Sequence, residues 1–376
     1  MPLLLLALFL FELLTWAVIG IDIYLFREWY QWRDVVDDDY ARQCLCWALG
    51  LLAYLFLGKF PIAMLLCKSR KGEDEPKAER AGHPQQLKRP DGSEIHIEEM
   101  GNPAGKPLLF VHGWNANSME WYYQKKHFVD RGYRIILMDL PGLGLSKRPD
   151  NNNFSLQKMA SDLEAVIHHL DLKGAVLWGH SAGGMTILTY CTEIARDLHQ
   201  RVSGIILQHT TYTDPTKTSI LSKLLHSIKV PVLYPFCWLM ILLSPLFWVS
   251  KWMSYMNGNL HLSTRFLTFA GTQTFKQLDF IARLSAMAPP SVFARGMLGM
   301  MKTYDVSRKL ERVDIPTLIF SANRDKLTKP VASDYMETHI RKASQVRLAP
   351  AGHQGLVERH GETNEAAQRF LEGLIA

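Results

Sequence analysis

Basic side chains are missing from the start of this 376-residue chain, where Met1-Pro2-Leu3 opens directly into an apolar run. A cleaved secretory leader begins with positive charge and ends at small residues. Asp22-Ile23-Tyr24-Leu25 offers no such cleavage site, so the run reads as a retained anchor. Cysteine is scarce too. The five (Cys44, Cys46, Cys67, Cys191 and Cys237) lack metal-ligand spacing, and three lie in or beside apolar sequence, which argues against a secreted disulfide framework. No zinc motif, phosphate loop or nucleic-acid-binding module is found, so no metal, no cofactor and no nucleic-acid partner is expected. Charge is absent in one more place: Val230 to Ser250 holds none.

What remains is ordinary for a folded core, with 48% hydrophobic and 21% charged residues and a modest net charge of +6. Leu3 to Ile21 is apolar apart from Glu12, long enough to cross a bilayer as a helix. A second apolar stretch, Cys44 to Cys67, is interrupted by Lys59 and Pro61. Residues 1–67 therefore read as a membrane anchor built as a two-helix hairpin, with an interfacial helix bent at Pro61 as the alternative for the second stretch. Residues 68–84 read as a charged, solvated linker. The five basic residues after the second stretch (Lys68, Arg70, Lys71, Lys77, Arg80) outnumber the three between the stretches (Arg27, Arg33, Arg42), placing the large domain on the cytoplasmic side. Glu12 and Lys59 are expected at similar depth, and a pairing across the hairpin would offset the cost of burying either charge.

The chemistry centres on Ala175-Val176-Leu177-Trp178-Gly179-His180-Ser181-Ala182-Gly183-Gly184, an apolar run that ends in Gly-x-Ser-x-Gly and meets a helix-like segment. In a strand–turn–helix context this pentapeptide is a nucleophile elbow: glycines flanking the turn let strand and helix approach, and the serine hydroxyl stands exposed. Chance alone would supply the pentapeptide about 0.1 times in such a chain. Around it, Gln86–Arg89 and Glu94–Glu98 flank Pro90-Asp91-Gly92 as a hairpin. Buried strands are expected at Pro107–Val111, Arg134–Met138, Val202–Leu207, Pro316–Phe320 and Gln345–Leu348, with helices at Ser155–Leu172, Val331–Ile340 and Thr363–Ile375. That alternation implies an α/β protein, a mostly parallel sheet with helices on both faces and its site at the carboxyl ends of the strands.

These residues resemble the α/β-hydrolase family over about residues 85–211 and 313–376. The resemblance rests on His112-Gly113, on Asp139 with Gly142, Gly144 and Ser146, on the elbow, on Asp325 and on Gly352-His353, in that order. It implies an α/β-hydrolase fold with a nucleophile–acid–histidine triad at Ser181, Asp325 and His353. It also implies an oxyanion hole from the backbone N–H groups of Trp114 and Ala182. Asp214 is the fallback acid, His112 and His180 orient loops, and Asp139 is a loop brace. The triad chemistry is coherent, since serine needs a base and the imidazole needs an acid to hold its tautomer.

Residues 212–312 fall where this family inserts a cap. They hold twelve Lys/Arg against four Asp/Glu together with Phe236, Trp238, Phe247, Trp248 and Trp252. A single crossing by Val230–Ser250 is impossible, because Ser181 and His353 must meet on one side. The segment either covers an acyl pocket, dips into the bilayer and returns at its prolines, or forms a wholly buried cap core. The expected activity is a membrane-anchored serine hydrolase cleaving lipid-derived carboxylic esters, with a plan like that of membrane-bound monoacylglycerol lipases and lysophospholipases. Its partners would be the lipid bilayer and a small acyl ester. A thioesterase, a C–C bond hydrolase, or a membrane scaffold with a dead hydrolase fold remain open.

Overall fold

The computed structural model describes residues 2–34, 38–67, 72, 74–80 and 82–374. Lys68, Arg70 and Lys71 of the basic cluster, and Ile375 at the end of the last expected helix, lie outside these. Eight strands form one sheet in the order β1-β2-β4-β3-β5-β6-β7-β8. β1 (His83–Lys88) and β2 (Glu94–Gly101) pair as the expected antiparallel hairpin, and β2 runs antiparallel to β4 (Arg134–Met138). β3 (Pro107–Val111), β5 (Ala175–His180), β6 (Val202–Gln208), β7 (Thr317–Ala322) and β8 (Ala343–Leu348) continue in parallel.

Every residue of β5 and β7 is buried, because helices cover both faces of a parallel sheet. One face packs Leu156–His169 and Ala182–Thr189 around Leu109, Leu177 and Ile205. The other packs Tyr122–Val129 and His360–Gly373 around Phe110, Trp178 and Phe320. The first of these layers starts on a capped helix, with the Ser155 hydroxyl accepting Lys158 N–H at 3.2 Å. Between β6 and β7 lies the insertion, helical throughout its longer elements: Tyr234–Leu242, Ser244–Met256, Asn259–Thr268, Phe275–Met287 and Pro290–Thr303.

At the N-terminus α1 (Pro2–Trp32) and α2 (Asp38–Leu57) pack along each other, and a short α3 (Lys59–Cys67) follows. Phe9–Trp32 and Asp39–Leu57 are long and apolar enough to cross a membrane. The second stretch breaks at Gly58 rather than bending at Pro61. A Cβ at Gly58 would lie 2.5 Å from the Asn257 carbonyl oxygen, so close approach to the cap fixes the break there.

The expected Glu12–Lys59 pair does not form. Lys59 donates to the Tyr255 hydroxyl at 3.2 Å and sits 3.8 Å from Asp279, whereas Glu12 faces Lys251 across a small cavity. The hairpin packs its polar stripe onto the cap, so each charge meets a cap partner before it can meet the other. The linker is solvated at Lys77 and Glu79, while Asp74 and Arg80 are tied to the core. Asp74 accepts from the Tyr122 hydroxyl at 3.0 Å, and Arg80 bonds Glu98 at 2.6 Å and Asp139 at 2.8 Å.

Candidate active site

β5 delivers Ser181 at its carboxyl end with φ 51° and ψ −113°, a strained conformation that puts the side chain at the tip of the turn. Two glycines make this possible. A Cβ on Gly183 would lie 2.0 Å from the Val111 carbonyl oxygen, and one on Gly179 2.5 Å from the Gly183 carbonyl carbon. Neighbouring β6 fixes the elbow: Ser181 N–H donates to the Gln208 carbonyl at 2.9 Å, and the Thr210 hydroxyl donates to the Ser181 carbonyl at 2.6 Å.

Asp325 and His353 come from the loops after β7 and β8, and the fold brings them together. His353 Nδ1 donates to Asp325 Oδ2 at 2.8 Å. The second oxygen, Asp325 Oδ1, accepts the Leu327 and Thr328 N–H groups at 2.8 and 2.9 Å, and the Thr328 hydroxyl adds a bond to Oδ2 at 2.8 Å. Burial alone would raise the Asp325 pKa, but His353 and these donors hold it at about 2. The carboxylate is therefore ionised and fixes the Nδ1–H tautomer of His353. Burial lowers the His353 pKa against the opposing pull of Asp325, which keeps the imidazole neutral and basic near pH 7. His353 Nε2 and Ser181 Oγ are both buried polar atoms with no hydrogen-bond partner among the described residues. Asp214 has a different duty: it caps the turn at Thr216 N–H at 2.9 Å and pairs with Lys229 at 2.7 Å.

Trp114 lies just past the end of β3, and Ala182 opens the helix after the elbow; both are buried. Between them Gly113 sits so close to the nucleophile loop that an added Cβ would be 2.8 Å from His180 Nδ1 and 3.5 Å from Ser181 Cβ. The Trp114 indole donates to the Phe293 carbonyl at 2.9 Å, over Gly296, where a Cβ would strike the ring at 2.0 Å. The loop after β3 is thus pinned to the cap from above and to the elbow from below.

His112 accepts Leu140 N–H at 2.9 Å through Nε2 and donates to the Gly113 carbonyl at 2.8 Å, as expected of a loop-orienting residue. Asp139 braces its loop through Ser118 and Leu145 N–H groups, each at 2.8 Å. His180 does more than orient a loop: it lines the same cavity as His353, with Nδ1 3.2 Å from buried Glu120 and Nε2 3.1 Å from the His353 carbonyl.

Sequence reasoning missed several residues that shape the site. Glu120 also accepts Gly113 N–H at 2.6 Å. Glu358 accepts N–H groups of Ala270, Gly271 and Thr272 from the cap and Gly352 N–H at 3.1 Å, tying the His353 loop to the insertion. Asn115, Thr264, Ser285 and Gln354 add polar lining. No local motif marks any of them; Glu120 and Glu358, for example, also depend on partners far away in the chain, His180 and Ala270.

A family model described as alpha/beta hydrolase fold matches residues 106–359. The chain belongs to the alpha/beta hydrolase fold family. Among its relatives, the AB hydrolase superfamily protein YisY of Bacillus subtilis (strain 168) is 26% identical over 283 residues, covering 73% of this chain and 94% of that protein. A non-heme chloroperoxidase of Streptomyces lividans is 36% identical over 117 residues, which span 31% of this chain and only 41% of that protein. The solved esterase EaEST from Exiguobacterium antarcticum superposes with a TM-score of 0.64 at 22% identity, covering 78% of this chain and 100% of the esterase. These likenesses show the α/β-hydrolase fold across the catalytic core; the activities in those names belong to those proteins.

Proposed function

We propose that this alpha/beta hydrolase is a membrane-anchored serine hydrolase that cleaves carboxylic esters of lipid-derived acyl chains. The observation that carries the reading is the strained Ser181 elbow beside a buried, ionised Asp325 bonded to a neutral His353 at 2.8 Å. In this mechanism Ser181 Oγ attacks the ester carbonyl while His353 Nε2 takes its proton. The Trp114 and Ala182 N–H groups receive the developing oxyanion, and His353 then protonates the departing alkoxide. Water, deprotonated by the same imidazole, releases the acid from the acyl-enzyme. Asp325 stays ionised and holds the imidazole in register.

The lipid part of the reading rests on surface. The expectation of a wholly buried cap core fails: Val230 is 63% exposed, Trp238 53% and Leu242 76%, in a segment without charge. Lys229–Leu242 and Ser244–Met256 meet at a bend of 97°, the shape of a segment that enters an apolar phase and returns. Exposed Trp47, Phe56, Phe60 and Leu65 of α2 and α3 extend the same kind of surface. An apolar expanse of this size suits a bilayer.

The test is initial hydrolysis rate against acyl-chain length, for detergent-purified protein and its Ser181→Ala variant. Rates that rise from short to long chains and vanish in the variant are expected. Activity confined to short esters would remove the lipid assignment, and no Ser181-dependent turnover of esters would remove the hydrolase assignment itself.

A further inference from the structure

Lys251 is buried in the cap, a position a lysine occupies only with partners that offset its desolvation. Its ammonium donates to Asn115 Oδ1 at 2.9 Å and to the Ala288 carbonyl at 3.0 Å. Across a small cavity walled by Phe236, Met240, Phe247 and Pro290 it faces Glu12 of α1. Glu12 is itself buried, and its Oε2 has no hydrogen-bond partner among the described residues. Three residues further, on the same helix face, the Thr15 hydroxyl is bonded by Asn257 at 3.2 Å and Asn259 at 3.0 Å, so α1 is seated on the cap by its polar stripe.

Asn115 is the other end of this chain of contacts. It follows Trp114 and holds φ at 72°, in the left-handed region that asparagine enters more readily than other side-chain-bearing residues. Here the Asn115 side chain is held from both ends: Oδ1 by Lys251, and Nδ2 by Ser285 Oγ at 2.5 Å. The backbone it fixes is the one that aims the Trp114 N–H.

We propose that Lys251, balanced by Glu12 of the anchor helix, is a positioning residue that holds Asn115 and thereby the oxyanion-hole loop, so that the membrane anchor is a working part of the active site. The inference rests on the serine-hydrolase reading above. It makes no contact with substrate a requirement: the three residues act through the Trp114 amide, whose contribution exists only in the transition state, and so act on kcat.

The experiment is a double-mutant cycle on the full-length protein in detergent, with Lys251→Met, Asn115→Gly and Glu12→Gln, and with melting temperature recorded for each. Asn115→Gly keeps the left-handed backbone accessible and removes the side-chain bonds to Lys251 and Ser285. The Lys251 and Asn115 variants are expected to lower kcat at least tenfold with KM within about threefold, and their combination to lose little more than either alone. Glu12→Gln is expected to lower kcat severalfold in the native background and to change nothing once Lys251 is Met. Losses that multiply, or a folded Lys251→Met protein with unchanged kcat, would overturn the proposal. If Lys251→Met does not fold, the Glu12→Gln and Asn115→Gly pair decides by the same non-additivity. Native protein without Ser181-dependent turnover would defeat the hydrolase reading, and this inference with it. Normal native turnover with unaffected variants would defeat this inference alone.

Discussion

At the scale of single residues, the site is a set of charge decisions made by burial. Asp325 is fully enclosed, yet its carboxylate is supplied with an imidazole N–H, two backbone N–H groups and a hydroxyl, enough to keep it charged. Asp325→Asn is expected to leave the fold intact and lower kcat by roughly 10³–10⁴-fold, because the amide favours the wrong imidazole tautomer. Titration by the turnover rate checks the other partner. Burial lowers the His353 pKa from its ordinary value, so the acid limb of kcat/KM should have its midpoint below pH 6.5. A limb centred above 7 would contradict that assignment. Beside Asp325 and His353, burial pushes His209 down to about 3, with Asp325 opposing. Its folded-state pKa is thus below its unfolded one. The stability it contributes is present above pH 6.5 and is lost as pH falls toward 3, by up to roughly 5 kcal/mol. His209→Asn, which tolerates the local φ of 46°, should flatten the dependence of melting temperature on pH across that window.

At the scale of elements, the elbow and the cap follow different rules. The turn after β5 has its geometry written into consecutive residues, and glycine at 179 and 183 is required by contacts under 3 Å. The cap pair Lys229–Leu242 and Ser244–Met256 is instead defined by what it leaves outside. Trp238→Asp and Leu242→Asp place charge on its exposed face, which costs about 2.5–3.5 kcal/mol each if that face reaches the bilayer centre. Hydrolysis of a long-chain ester embedded in vesicles should fall tenfold or more in the double variant. A short water-soluble ester should be hydrolysed at the native rate, and equal losses on both would show that the cap face serves folding instead of the membrane.

At the scale of the molecule, the hairpin and the cap form one body. α1 offers Glu12 and Thr15 to the cap while Leu13, Leu14 and Trp16 stay exposed, so polar groups face protein and apolar ones face outward. This is the opposite of a tethered soluble enzyme, and it predicts that the anchor is not separable from activity. The orientation proposed for it, with the large domain on the cytoplasmic side, is checked by protease treatment of right-side-out and inverted vesicles. The catalytic domain should be digested only in inverted ones; digestion in right-side-out vesicles reverses the topology.

The sequence by itself determined what is settled within a few neighbouring residues. Gly-x-Ser-x-Gly after an apolar run dictates strand, strained turn and helix through local backbone sterics. Alternation and turn chemistry place the hairpin before β3, and uninterrupted apolar length marks α1 and α2. Strand boundaries agreed to within about three residues for the same reason. Only the tertiary structure decided which groups meet across the chain. Asp325 lies within reach of His353 and Asp214 does not, because β7 and β8 are neighbours in the sheet and the loops at their carboxyl ends converge. Depth along a helix put Glu12 and Lys59 at one level, but the cap intervenes and takes each separately. Lys251, Asn115, Glu120 and Glu358 carry no local signature at all. Each has a partner tens to hundreds of residues away, such as His180 for Glu120 and Ala270 for Glu358, and packing free energy selects those partners.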